Sequence, residues 1–455
     1  MREFTNKLLI SVFIVMYAAS MISCSKSANP TSSAISVEEK EKYDFGGQEI
    51  SIATYWGTDL SPGQNEQTDR FIARISEVEK ECNFKFNYKK APTEYWSNMI
   101  TTILAGQPYG DIMFAFPWTF NSWILAGAIK DVGTLDAVDF EDGSWNNLVK
   151  GEATYAGRIF GFSKEPMTVN SGLVFNKRLF AEANLESPYD LIKEDKWNFA
   201  TMEDYAKKMT KDTDGDGITD QWGLSTMDSV WLATSMILAN DGKLIDNSTS
   251  PAKFVMDSAN SLEALNLYNK MVNVDKTLYA RPSDSEWNAA VTKMVDGKIG
   301  MFRTEQWVLV GELSGKMKDE YGLVYFPKGP KGKDYVDETF GGNIMFIPSS
   351  LSDEKAKTAL IVYDALYATL YPELTFDEYL QNTAEGFLQD QDSVNIYKDI
   401  IQRKLALSNG IAKAGIYDAI WDLVYKINAN TGTPKSIVET AKPELQGVID
   451  LNSFE

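Results

Sequence analysis

An α/β fold is predicted for this chain by two patterns and by its composition. Strand-like alternation and helix-like spacing follow one another through residues 49–116, and strand, helix, strand, helix, strand implies parallel crossovers. The 455 residues are 44% hydrophobic and 24% charged, with 12% aromatics, the balance of a chain that folds in water as two or three domains.

The first strand is read at Glu49-Ile50-Ser51-Ile52-Ala53-Thr54-Tyr55-Trp56, from its alternation and β-branched content. A helix follows, in which Phe71, Ile75, Val78 and Cys82 recur on one face. That spacing makes Cys82 a core thiol rather than a reactive one. Phe84, Phe86 and Tyr88 alternate as a second strand, a helix runs from about Glu94 to Ala105, and Asp111–Phe116 is a third, largely buried strand. Ligands in such sheets sit beyond the carboxyl ends of the strands, which here carry Tyr55-Trp56 and Phe116-Pro117-Trp118-Thr119.

Composition removes several function classes. Forty-four basic against 64 acidic residues give a net charge of −20, which repels phosphate backbones and anionic lipid surfaces. Nucleic acid is therefore not an expected partner. The chain has no histidine, so Ser-His-Asp and Cys-His nucleophile systems and imidazole-ligated zinc are excluded. Its two cysteines, Cys24 and Cys82, cannot build a disulfide framework or a thiolate cluster.

The N-terminus carries an export signal: Arg2 and Lys7 precede an apolar run, Leu8–Ile22, that ends in small residues. The run is short for a spanning helix, which needs roughly 20 apolar residues. Met21-Ile22-Ser23-Cys24 resembles the lipobox of bacterial lipoproteins, with Met21 in place of the usual Leu, and this resemblance implies acylation of Cys24 as the new N-terminus. The alternative is an ordinary signal-peptidase site with Cys24 incidental. Ser25–Lys42 has almost no large apolar residues and reads as a tether.

Asp212, Asp214, Asp216 and Asp220 occupy positions 1, 3, 5 and 9 of a calcium-type loop, with Gly217 at position 6 and the Ile218 carbonyl at 7. A hard cation relieves the mutual repulsion of clustered carboxylates, and the expected role is structural Ca²⁺ binding. Gly223 stands at position 12 where such loops carry a bidentate Glu, so the shell needs a further oxygen; the alternative is a solvated Asp-Gly turn.

Several later segments share one pattern. They are Ala105–Ile112; Gly172-Leu173-Val174-Phe175-Asn176-Lys177 with Leu179-Phe180; Trp197–Asp204; Gly297–Met301 followed by Trp307; Tyr321–Pro330; and Gly341-Gly342 to Ile347-Pro348. In this order they resemble the solute-binding proteins of sugar-importing ABC transporters, the group that includes the maltodextrin-binding protein. The resemblance implies a periplasmic-binding-protein-like fold, two α/β lobes joined by crossover hinge segments. Residues 44–165 plus 337–378 would form the first lobe and 166–336 plus 379–455 the second, after a signal peptide of residues 1–23 and a tether of 24–43. Hinges are expected near Lys164–Met167 and Val336–Phe340.

The implied function is a lipid-anchored, non-enzymatic importer subunit on the outer face of the bacterial cytoplasmic membrane. It would act as a monomer that delivers a mono- or oligosaccharide to transporter transmembrane subunits. Sugar C–H faces stack on aromatic rings while hydroxyls need polar partners. The resemblance makes Trp307 a stacking platform and places Trp118 and Thr119 on a sugar-contacting loop. Asn170 is a hydrogen-bond candidate; Trp231 and Trp56 divide between cleft and core; Gly342 serves either close ligand approach or an ordinary turn. A secreted lipoprotein glycoside hydrolase and a carbohydrate-binding adhesion protein are the alternatives, although no acid pair among the 64 acidic residues can be singled out as catalytic.

Overall fold

The computed structural model describes residues 43–55, 60–281, 286, 288–339, 342–408, 410–412 and 414–452. Cys24, the export signal, the tether and Trp56 lie outside these residues.

A four-stranded sheet organises the first lobe, in the order Ile344–Phe346, Ile112–Ala115, Glu49–Thr54, Lys85–Lys90. Glu49–Thr54 pairs in parallel with both Lys85–Lys90 and Ile112–Ala115, as the strand–helix alternation predicts. Ile344–Phe346 adds an antiparallel edge. Side-chain alternation splits each central strand between two layers. Ile50, Ile52, Ile112 and Phe114 pack with Val78 and Cys82 of helix Glu66–Cys82 and with Leu360 and Tyr363 of helix Asp353–Leu366. Ala53, Met113 and Ala115 pack on the other side with Tyr95, Met99 and Ile103 of helix Tyr95–Leu104. Cys82 is thus a buried core residue. Asp111 accepts hydrogen bonds from the Ser51 backbone N–H at 2.8 Å and from its hydroxyl at 2.9 Å, which fixes the entry of the third strand beside the first.

The second lobe holds a five-stranded sheet in the order Leu278–Tyr279, Trp222–Thr226, Ile299–Thr304, Gly172–Asn176, Tyr321–Val324. Its first three strands run parallel, and Gly172–Asn176 is antiparallel to both of its neighbours. One core joins this sheet to helices Phe199–Met209, Ser229–Ala239, Ala259–Asn269, Gln391–Gln402, Tyr417–Asn428 and Pro434–Asn452. Trp197, fully buried, donates its indole N–H to the Tyr325 carbonyl at 2.8 Å and pins the start of Phe199–Met209.

The chain passes between the lobes around residues 163–171, since Phe162 bridges to Met345 of the first sheet and Gly172 pairs with Thr304 of the second. Within the segment Val336–Phe340, expected as a hinge, Asp337–Thr339 forms a short strand parallel to Ala406–Ser408. It is stapled to the first crossover: Asp337 accepts from the backbone N–H groups of Asn170 and Ser171, at 3.0 and 2.6 Å. Its polar residues Asp337, Glu338 and Thr339 are buried. Phe340 and Gly341 lie outside the described residues, and Gly342 has φ +76, a conformation that favours glycine. Among the described residues a Cβ at 342 would find only Val149, at 3.7 Å, so the backbone angle is the constraint they place on glycine there.

Candidate functional site

Strand order reverses between Glu49–Thr54 and Ile112–Ala115, and a crevice is expected beyond the carboxyl ends of such a pair. Tyr55 and Phe116–Thr119 stand at those ends. Pro117 occupies the first turn of helix Pro117–Leu125, where its fixed φ suits helix initiation. Trp118 follows with both ring faces covered. Phe116 stacks on one at 4.2 Å and 12°, and Tyr417 on the other at 4.8 Å and 17°. Phe116 itself lies 4.8 Å from Trp96 at 18°. Four near-parallel rings therefore run from the first-lobe core to Tyr417, which opens the second-lobe helix Tyr417–Asn428. The Thr119 hydroxyl donates to the Phe116 carbonyl at 3.0 Å within the same turn and keeps its lone pairs as acceptors.

Tyr417 also meets Trp231 at 5.7 Å and Trp421 at 5.8 Å. Trp231 is 5% exposed and is mainly a core residue, with its ring edge part of this aromatic group. Burial pushes the Tyr417 phenol well above the usual tyrosine range, and the nearby charges of Asp228 and Glu305 add to the effect. Asp228 caps helix Ser229–Ala239 by accepting from Val230 N–H, and it forms a buried ion pair with Arg281 at 2.7 Å. Arg281 also donates to the Tyr425 hydroxyl at 2.8 Å.

Trp307 is 45% exposed, the kind of surface a stacking ligand needs. It stands on the short helix Gln306–Val308, which widens into a π-type turn at Leu309–Leu313. Its indole N–H donates to Glu305 Oε2 at 2.6 Å. Glu305 Oε1 accepts from the buried Arg303 at 2.9 Å. The Gln306 backbone N–H donates to the Val169 carbonyl at 2.8 Å, tying the platform to the first crossover.

Asn170 is spent within the protein: its backbone N–H serves Asp337, and its side-chain amide donates to the Thr168 carbonyl at 2.7 Å, leaving the amide oxygen for a ligand. Asp337, fully enclosed, is pushed by burial up to about 6, against the hydrogen bonds from Ser171 and Asn170 and the charge of Arg303.

The acidic loop gathers three of its carboxylates. Carboxylate oxygens of Asp212, Asp214 and Asp216 lie within 4.8 Å of one another at the surface. Asp212 accepts from the Gly215 and Gly217 N–H groups, both at 2.7 Å, which holds its carboxyl below the usual carboxylate range, the Gly217 bond having the larger effect. Asp220 instead turns to Thr213, accepting from its hydroxyl at 2.7 Å, and the Ile218 side chain is exposed. Gly223 is explained by packing: a Cβ there would meet the Ala206 carbonyl oxygen at 2.0 Å, so strand Trp222–Thr226 lies against helix Phe199–Met209 where a glutamate has no room. Three clustered carboxylates are oxygen donors of the kind a hard cation takes.

Sequence reasoning missed Tyr417, Glu305, Asp228 and Arg281. Tyr417, Trp421 and Tyr425 recur every four residues, a stripe visible in the sequence but ordinary for a core helix.

Two α/β lobes, crossed more than once by the chain, with aromatic and charged side chains gathered where they meet, define a two-lobed binding protein. The chain belongs to the bacterial extracellular solute-binding protein family, whose model matches residues 63–365. Solved structures share the fold. An ABC substrate-binding protein from Listeria monocytogenes in complex with cycloalternan is 16% identical, with a TM-score of 0.61 over 89% of this chain and 99% of its own. The maltose/maltodextrin-binding domain from Bdellovibrio bacteriovorus bound to maltotriose is 15% identical, with a TM-score of 0.62 over 88% and 99%. A solute-binding protein from Thermotoga lettingae bound with α-D-tagatose is 18% identical, with a TM-score of 0.60 over 89% and 100%. No curated protein sequence matches the chain. No helix among the described residues is long and apolar enough to cross a membrane.

Proposed function

We infer that this protein captures a neutral saccharide between its lobes and delivers it to the transmembrane subunits of an ABC importer. The observation that carries this reading is the pairing of an exposed, hydrogen-bond-anchored Trp307 with the Trp118–Tyr417 stack that joins the two lobes. Such surfaces suit the alternating apolar faces and hydroxyl edges of a sugar. The sugars named in the related structures support the same ligand class. Thr119, Asn170 and Gly342 are the polar and backbone contacts in this reading, and Trp56 is a further aromatic one.

Catalysis is not part of it. Glycoside hydrolysis needs one carboxyl held protonated beside a second that is ionised. Asp228 and Glu305, the acids whose charges act on Tyr417, are each ion-paired to an arginine. Isothermal calorimetry against a panel that includes maltotriose, cycloalternan and tagatose, with chromatography of the recovered sugar, tests the proposal. Stoichiometric binding of an unaltered saccharide is expected, and recovery of a hydrolysed product overturns it.

Two further elements complete the proposal. Acylated Cys24 and the Ser25–Lys42 tether hold the protein at the membrane, raising its effective concentration near the permease. The Cys24→Ala chain should accordingly appear in the soluble fraction. Ca²⁺ bound by Asp212, Asp214, Asp216 and the Ile218 carbonyl, with Asp220 as an outer member, stabilises the loop by mass action; at a hundredfold excess over Kd this amounts to about 2.7 kcal/mol. A chelator that leaves the melting temperature of calcium-loaded protein unchanged counts against the metal.

A further inference from the structure

Four charged or polar side chains line up between the second crossover and the exposed Trp307. Glu338, on the strand Asp337–Thr339, is buried and accepts from the Ser235 hydroxyl at 2.7 Å. Arg303, also buried, lies 3.4 Å from that carboxylate through one guanidinium nitrogen and 2.9 Å from Glu305 through another. Its third nitrogen, Nε, donates to Ser235 at 3.3 Å. Glu305 in turn receives the Trp307 indole N–H. The far end of the chain is equally tied: the Ser171 hydroxyl, on the first crossover, accepts from the Glu338 backbone N–H at 2.6 Å.

A planar guanidinium holds its partners in a fixed geometry, so a carboxylate on either side cannot shift alone. An indole has one donor, and that donor fixes the rotation of the ring about its side-chain bonds. Both crossovers thus connect to the ring plane of Trp307 by an unbroken series of directional bonds. We propose that Arg303 and Glu305 form a positioning relay, which couples the orientation of the Trp307 ring to strand Asp337–Thr339, so that rotation of the lobes and stacking on Trp307 bias one another. The inference rests on the reading of Trp307 as a saccharide platform, and none of the relay residues need touch the sugar.

The relay is tested by nuclear magnetic resonance of the indole N–H groups in the mature chain, which carries all eleven tryptophans. Loss of one signal in Trp307→Phe assigns Trp307. In Glu305→Gln this signal should shift by more than a linewidth. It should shift also in Arg303→Lys and in Glu338→Gln, although Glu338 has no direct bond to the indole. The signal of Trp145, buried in the first lobe, should stay in place in all three and shows that the fold is retained. A Trp307 signal that moves in Glu305→Gln but not in Glu338→Gln overturns the relay and leaves only a local anchor. If Arg303→Lys does not fold, Glu338→Gln alone carries the decision. The platform reading fails separately, if Trp307→Ala binds the best saccharide of the panel as tightly as the unaltered protein; the resonance result does not depend on that outcome.

Discussion

Trp307 and Trp118, the two tryptophans proposed to hold the ligand, are held by different means. Trp307 projects its ring into solvent and is anchored at its single polar atom by a carboxylate that a buried arginine holds. Trp118 is stacked between rings, Phe116 from its own lobe and Tyr417 from the other. Directional bonds set an angle, whereas stacking sets a distance and tolerates sliding. On the proposed reading of the site, the Trp307 side holds a plane, and the stack between Trp118 and Tyr417 is the contact that has to part when the lobes open.

If that contrast is correct, the polar side responds to acid and the aromatic side does not. The largest effect is expected at Asp337, which binds the two crossovers together and whose carboxyl burial raises to about 6 from an ordinary 3.8. Between those values the native state takes up a proton that the unfolded chain does not. Stability therefore rises as pH falls through this window, and above about pH 6 the ionised, buried carboxylate is a net cost. The full difference is at most about 3 kcal/mol for a shift of roughly two pH units. Urea unfolding at several pH values between 4 and 7 should show the unaltered protein gaining on Asp337→Asn as the solution is acidified. Tyr417→Phe should show no such trend relative to the parent, and a constant gap for Asp337→Asn removes the polar half of the comparison.

The second test exchanges the rings. Trp307→Ala deletes an exposed stacking surface without opening the core, so saccharide affinity should fall about ten- to a hundredfold while the melting temperature is little changed. Calorimetry with the tightest ligand of the panel measures the loss. An unaltered affinity would place the sugar elsewhere, and a large fall in melting temperature would make Trp307 a structural residue.

Much of this architecture was legible in the sequence because the first lobe is written in simple periodicities. Ile50, Ile52 and Ala53 alternate onto two layers, and Val78 and Cys82 follow the helical repeat, so the core faces follow directly. Trp307 was singled out by the family resemblance, and its exposure is what a stacking platform needs. Its setting was not legible, because Glu305 and Arg303 read as a polar stretch between a strand and a tryptophan, and only the fold buries them together. Asp337 and Glu338 passed unmarked within the expected hinge for the same reason: a buried carboxylate with several donors has the same letter as an exposed one. Tyr417 was hidden differently. It lies about 300 residues from Trp118 in sequence, and no local pattern announces a stack between lobes.

The smallest effect is expected at that stack. An offset aromatic pair contributes about 0.5–1.5 kcal/mol beyond its buried area, which corresponds to a two- to twelvefold change in an equilibrium between joined and parted lobes. A sugar ring seated on the Trp118 face now covered by Tyr417 requires the two rings to separate, since 4.8 Å between centroids leaves no room for a third ring. Tyr417→Ala should therefore shift ligand-free protein toward parted lobes, and small-angle scattering should record a larger radius of gyration than for the parent. Tyr417→Phe keeps the stack and should scatter like the parent. Saturating saccharide should return the alanine variant toward the compact curve, because a ligand that touches both lobes favours the state in which they meet. Identical ligand-free curves for the alanine variant and the parent would mean that the crossovers alone set the distance between the lobes, and the contrast between the two tryptophans would reduce to the way each ring is held.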